Sequence, residues 1–165
     1  MTEAPFSIVP LAAHHDRSVF SCGSAALDSY LKTHANQDAK RRVATCFVAV
    51  ENATGLIAGY YTFSACHAYL SGLDEDMRHK LPKYPTVPAV RLGRLAIDTR
   101  FQGRKLGAAM PGNAAARAIG SEIATAMMVV DAKDETAAAF YLRHGFRRDP
   151  LQPLMLYAAL GQMVG

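Results

Sequence analysis

Two stretches carry side chains whose types and spacing could do chemistry. The first is Arg94-Leu-Ala-Ile-Asp98 followed by Gln102-Gly103-Arg104-Lys105-Leu106-Gly107. It reads as the end of a strand, a glycine-bearing loop and the start of a helix. Such a loop is an anion cradle, because unpaired backbone N–H groups and the positive end of the helix dipole converge on a phosphate. Glycine lets the backbone approach closely, and Arg104 adds charge. A glycine turn ahead of a helix is more often a plain connection, so both readings stay open on this stretch alone. The second stretch is Val130 to Phe146, where Ala137, Phe140, Tyr141 and His144 share one helical face. On its own Tyr141 reads as a core aromatic with a satisfied hydroxyl, which is common for tyrosine. Lys40-Arg41-Arg42 forms a basic cluster, as do Arg143, Arg147 and Arg148. Either group can meet a polyanion by charge, or be a solvated face.

These residues need elements to position them. Phe6 to Val9 reads as a first strand. Ser24 caps a helix expected to run to about Arg41, with Leu27, Tyr30, Leu31, His34 and Ala35 on one face. Thr45–Val50 and Leu56–Tyr69 read as strands joined by a hairpin loop at 51–55. Residues 70–88 mix charges with Pro82, Pro85 and Pro88 and read as a loop with one short helix at 73–79. Val90–Ile97 is a strand, residues 106–119 a helix, Ile123–Val130 a strand, Asp134–His144 a helix closed by Gly145, and Met155–Leu160 a last strand. The order is that of an α/β fold with a mixed sheet. No repeat or linker divides the chain, so residues 1–165 are expected to form a single domain.

Composition excludes several classes. Half the residues are apolar and 19% are charged, which excludes a disordered chain. The balance of 18 − 14 = +4 leans toward an anionic ligand. Cys22, Cys46 and Cys66 are widely spaced, with no CxxC pair and no Cys/His metal spacing. Free thiols in a reducing cytoplasm are expected, with no metal. The 18 residues from Leu56 to Leu73 lack Asp, Glu, Lys and Arg but hold three tyrosines, His67 and several hydroxyls, too polar for a lone membrane span. No signal peptide is expected.

Taken together, the two stretches resemble the GCN5-related N-acetyltransferase (GNAT) family. Its phosphate loop, Q/R-x-x-G-x-G/A, is matched by Gln102-x-x-Lys105-x-Gly107, and its N-x-x-A-x-x-F-Y element by Asp134-x-x-Ala137-x-x-Phe140-Tyr141, with Gly145-Phe146 after it. The resemblance implies a central mixed, mostly antiparallel sheet flanked by helices. It implies acetyl-CoA as co-substrate, its pyrophosphate on the loop amides of residues 102–107 and its pantetheine arm beside Ala96 and Ile97. Asp134 and Phe140 join the cofactor site, and Tyr141 is the general acid. The N-terminal half is similar to the toxin branch of this family in bacterial toxin–antitoxin modules. Phe20-Ser-Cys-Gly-Ser-Ala-Ala-Leu-Asp-Ser-Tyr-Leu31 fits its F-x-C-G-x-x-x-L-D-x-Y/W-L opening, and Gly59–Ser64, Leu81–Pro88 and Leu92–Ala96 also look like that branch. That likeness implies acetylation of the α-amino group of aminoacyl-tRNA, which blocks translation. It also implies a ribbon-helix-helix antitoxin, operator DNA bound only through the antitoxin complex, a homodimer and no membrane. Lys40, Arg41, Arg42 and Arg94 would then meet tRNA.

Three positions depart from the family pattern. Lys105 stands where the loop's first glycine is expected, so it is either strained at positive φ or aims its ammonium at a phosphate. Pro111 falls in the expected helix, which must start late or be kinked there. Asp134 replaces an asparagine, and either residue caps a helix. The alternatives to a tRNA-acetylating toxin are an acetyltransferase of a protein or small amine, and a catalytically weakened partner-binding module.

Overall fold

The computed structural model describes residues 4–163. The strands are β1 (Phe6–Pro10), β2 (Thr45–Glu51), β3 (Ile57–Tyr69), β4 (Thr86–Ile97), β5 (Met127–Asp131), β6 (Arg147–Arg148) and β7 (Met155–Ala159). The helices are α1 (Ala25–Thr33), α2 (Ala35–Lys40), α3 (Glu75–His79), α4 (Leu106–Ile119), α5 (Glu135–Arg143) and α6 (Leu160–Met163). The strands form one sheet in the order β1-β2-β3-β4-β5-β7-β6. The β4–β5 pair is parallel, whereas β1–β2, β2–β3, β5–β7 and β6–β7 are antiparallel. This is the α/β class expected, a mixed and mostly antiparallel sheet flanked by helices. The chain divides into two compact units, one of residues up to Ser64 with Arg94–Asn113, the other of Ala65–Gly93 with the residues from Ala114 onward.

In the first unit, Ser24 caps α1 by accepting from Leu27 N–H. The expected single helix to Arg41 is broken at His34, whose N–H donates to Tyr30 O while its own carbonyl accepts from Asp38 N–H. Leu31 and Ala35 are both buried across the break, so the apolar period continues through it and conceals it. The core gathers Phe20, Tyr30, Leu31, Val48, Ile57, Tyr60 and Ala96. The β2–β3 register shifts between Ala49 and Val50, which face Gly59 and Ile57. That bulge leaves the Ala58 carbonyl to accept from Asp98 N–H at 2.8 Å. Beside it, a Cβ at Gly59 would lie 2.9 Å from the Ala96 carbonyl oxygen and 3.0 Å from Ile97 Cδ1. Only glycine fits there.

In the second unit, β4 pairs with β5 over Ala89–Leu92 and Met127–Val130. Ala68, Leu70, Leu73, Met77, Val87, Met127, Val129 and Tyr157 form its core. The strand expected at Val90 begins earlier, at Thr86, and contains Pro88. Its missing N–H is harmless because the ladder starts at Ala89, and the Pro88 carbonyl still accepts from Ala126 N–H. The strand expected from Ile123 begins only at Met127. Ile123 is exposed, and its N–H is taken by Ser121 Oγ in a local turn.

The carboxylate of Asp98 ends β4 and is completely buried. Oδ1 accepts from Arg100 N–H at 2.9 Å and Arg100 Nε at 2.9 Å; Oδ2 accepts from Ser21 N–H at 3.0 Å and Arg100 Nη2 at 3.0 Å. Burial pushes its pKa up, but the bonds from Arg100 and Ser21 outweigh burial and hold it below the ordinary carboxylate value. A group lowered in this way stabilises the fold fully above its unfolded pKa of about 4, and that contribution is lost as pH falls through the lower folded value. Asp98→Asn turns one acceptor into a donor that faces an N–H, and should cost roughly 1.5–3 kcal/mol at pH 7. Denaturant titrations of the two proteins should converge as the pH is lowered below about 4; a gap that stays constant with pH would contradict this.

Candidate active site

The loop after β4 is tied down at both ends. Phe101 is buried in a single 3₁₀ turn, Thr99–Phe101. Gln102 Nε2 donates to Ile97 O at 3.2 Å, so its amide closes the loop onto the end of β4. Arg104 pairs with Glu51 at 3.3 Å and lies over the Phe6 ring at 4.9 Å. Gly103 has φ 80° and Lys105 φ 66°. Lys105 therefore occupies the strained left-handed position, which costs a side-chain-bearing residue about 1–2 kcal/mol. Leu106 is buried and opens α4, whose first N–H groups lack partners within the helix. Gly107 is half-buried in the first turn. Pro111 stands inside this helix and is buried. It lacks the N–H that would bond the Gly107 carbonyl one turn back, yet the helix starts at Leu106 and runs without a break to Ile119.

Ala96 is buried and Ile97 half-buried, in the part of β4 that runs on past the segment paired with β5. On the same stretch, the Arg94 guanidinium lies 3.7 Å from the centroid of Tyr30. Tyr30 is buried, and its hydroxyl donates to Asp38 Oδ2 at 2.7 Å. Among the described residues Arg94 has no ion pair and no hydrogen bond, so its donors are free for an anion while the ring holds the plane. Lys40, Arg41 and Arg42 are exposed at the end of α2, the helix that Tyr30 reaches through Asp38. Arg42 has φ 60°, a second position where glycine would be cheaper. Tyr30 is a residue that sequence reasoning assigned only to a helix face. Its place in the F-x-C-G-x-x-x-L-D-x-Y/W-L block was the available signal.

In the second unit, Asp134 caps α5 by accepting from Ala137 N–H at 2.9 Å. Gly145, at φ 91°, follows the helix. Phe140 stacks near His144, with ring centroids 4.3 Å apart. Tyr141 is only 5% exposed, set edge-on to Phe140 at 5.4 Å and Phe146 at 5.2 Å. Burial pushes its hydroxyl pKa far above the ordinary value, and the charge of Asp131 adds to this. The hydroxyl has no hydrogen-bond partner among the described residues. Thr125 Oγ1 is the one side-chain polar atom there that is both fully sealed from solvent and unpartnered, so the Tyr141 oxygen is not fully sealed. No group of three metal-ligating side chains occurs among the described residues. No helix there is long and apolar enough to cross a membrane.

The acetyltransferase (GNAT) domain family matches residues 42–148. The tRNA-acetylating toxin of Mycobacterium tuberculosis (strain ATCC 25618 / H37Rv) is 32% identical over 146 residues, 86% of this chain and 84% of that one. Among solved structures, AtaT complexed with acetyl-methionyl-tRNAfMet superposes over 96% of both chains, with a TM-score of 0.84 and 26% identity. AtaTR bound with AcCoA covers 96% of both chains at a TM-score of 0.77 and 26% identity. The AtaT–AtaR complex bound to DNA covers 95% of this chain and 96% of that one at 0.73 and 25%. KacT, crystallised as a tyrosine-to-phenylalanine mutant, covers 97% and 98% at 0.81 and 27%.

The strain at Lys105 is measurable. Lys105→Gly should raise stability by about 1 kcal/mol in a denaturant titration, and a loss would mean that the lysine side chain makes a stabilising contact. Pro111→Ala should also raise the melting temperature, because it restores an N–H to the Gly107 carbonyl.

Proposed function

The chain belongs to the acetyltransferase (GNAT) family, and on that premise we propose that it is a toxin that moves the acetyl group of acetyl-CoA onto the α-amino group of aminoacyl-tRNA, blocking translation. The observation that carries this reading is Tyr141, a buried ring whose hydroxyl is protonated and has no hydrogen-bond partner among the described residues. The likeness to a tRNA-acetylating toxin and to AtaT with acetyl-methionyl-tRNAfMet supports the substrate. The likeness to AtaTR with AcCoA supports the co-substrate.

The residues present fit acetyl-CoA, which supplies the activated acetyl group as a thioester. Ala96 and Ile97 would run beside its arm, and the backbone N–H groups at the start of α4, with Gln102, Gly103, Arg104, Lys105, Leu106 and Gly107 around them, would hold its phosphates. Asp134 and Phe140, on α5 of the second unit, are the further residues that the family resemblance assigns to acetyl-CoA. An aminoacyl α-amino group titrates at about 8, so a useful fraction is already neutral at physiological pH and no strong base is needed. As the C–N bond forms and the C–S bond breaks, Tyr141 gives its proton to the departing sulfur. A buried tyrosinate is costly, so the oxygen then recovers a proton from the new amide nitrogen. The net movement is one proton from amine to thiol. Arg94 and the cluster Lys40, Arg41 and Arg42 would meet tRNA phosphates.

The resemblance to the toxin branch of the family extends the proposal to partners. A ribbon-helix-helix antitoxin would restrain the enzyme, DNA would be bound only through that complex, and the cytoplasmic toxin would be a homodimer. AtaT has been solved with the antitoxin AtaR, and the AtaT–AtaR complex has been solved bound to DNA, which supports an antitoxin partner and DNA binding by the complex.

Labelled acetyl-CoA should transfer its acetyl group to charged tRNA, with the label released as the N-acetyl amino acid on ester hydrolysis; equal labelling of uncharged tRNA would refute the substrate. Tyr141→Phe should lower kcat roughly 10²- to 10⁴-fold while leaving the melting temperature and acetyl-CoA affinity unchanged. A wild-type rate would mean that the thiolate leaves without it.

A further inference from the structure

A cavity of about 530 Å³ in the second unit is bounded by the end of β3, by β4, β5 and β7, and by the loop between β6 and β7. That volume lies within the range of small-molecule sites, about 300–1,000 Å³. Arg91, in its lining, donates to Asp131 Oδ2 at 2.6 Å. Asp149, also in the lining, is fully engaged, accepting from Tyr157 Oη–H at 2.8 Å, Leu151 N–H at 2.9 Å and Gln152 N–H at 3.0 Å. These bonds tie the loop to β7 and to itself. Asp131 Oδ1 makes no hydrogen bond among the described residues, so it is the free carboxylate oxygen of the cavity. Arg91 against Asp131 and Asp149 gives 1 − 2 = −1, a local negative excess in a chain whose net charge is +4. The site therefore favours a cation.

We infer that this cavity seats the aminoacyl end of the acceptor and that Asp131 Oδ1 receives its α-amino group. The inference rests on the reading of the substrate as an aminoacyl ester. Tyr69, 65% exposed, and Leu151, 89% exposed, offer an aromatic and an aliphatic surface at the rim for a base or side chain to cover. Asp131 ends β5, and α5, the helix that carries Tyr141, begins four residues later at Glu135, so this carboxylate stands on the strand that leads into the proton donor's helix. A lone carboxylate would keep the amine protonated and unreactive. Arg91 offsets part of that charge, so Asp131 orients the nitrogen through a hydrogen bond that survives loss of the proton to water. Asp131 is thus a binding residue and not the base.

The test compares aminoacyl-tRNA with the same tRNA carrying the α-hydroxy acid, which lacks the amine. Phosphate contacts are identical in both and cancel in the ratio of affinities. The wild type should bind the aminoacyl form about tenfold tighter or more, as expected for a charge-assisted contact. Asp131→Asn should bring the ratio close to one, with acetyl-CoA affinity unchanged. Leu151→Lys, at an exposed site, should lower the ratio without disturbing the fold, and it serves if Asp131→Asn proves unstable. A wild type that does not discriminate, or variants that discriminate as it does, would overturn the inference while acetyl transfer to aminoacyl-tRNA remains intact. Absence of that transfer in the wild type would instead remove the functional reading, and this inference with it.

Discussion

Asp98 is a carboxylate with no exposure to water, placed where β4 stops and the loop begins. Its two oxygens gather the N–H groups of Ser21 and Arg100 and the Arg100 guanidinium, while its own N–H reaches the bulged carbonyl of Ala58. Next to it, Thr99 N–H donates to Ser21 O. The segment before α1, the bulge of β3 and the end of β4 are thereby fixed to one point. The loop that follows is held again by Gln102 on Ile97 and by Arg104 on Glu51. Strain persists where surrounding structure over-determines it. That is the physical reason Lys105 can stay at a positive φ without collapsing the loop.

The chemistry asks more of position than of reactivity. An amine that is partly neutral at physiological pH is already a nucleophile, so the protein need only hold it, hold the thioester and supply one proton. Two tyrosines do opposite work. The Tyr30 hydroxyl is taken by Asp38 and its ring presents the Arg94 cation. The Tyr141 ring is taken by its aromatic neighbours, and its hydroxyl is left without a hydrogen-bond partner among the described residues. In each case the part of the side chain engaged by the core fixes the part offered to a ligand. Orientation of this kind is worth more than any single contact in a transfer between two bound groups.

Local signals were legible in the sequence wherever one residue type decides the backbone. Ser24 and Asp134 cap the helices assigned to them, Gly55 and Gly145 take positive φ at the turns, and the order of elements follows hydrophobic period. Signals that depend on distant partners were not. The break at His34 is invisible because Leu31 and Ala35 continue the apolar face across it. Pro88 argued against a strand, yet it sits one residue before the ladder begins. Whether Lys105 was strained or merely charged could not be decided from its side chain, because the answer lies in φ. Tyr141 was named from the family motif, but its unpartnered hydroxyl depends on packing by Phe146 and Phe140. Arg91 and Asp131 are 40 residues apart, and nothing in their spacing announces a pair that parallel pairing of β4 with β5 creates.

The most direct test of the central claim is a crystal structure of the chain with acetyl-CoA bound. The account predicts the Tyr141 hydroxyl within about 3–3.5 Å of the thioester sulfur, the reach of a proton donor in place. A sulfur that lies beyond about 6 Å, or a Tyr141 hydroxyl bonded elsewhere in the protein, would contradict it.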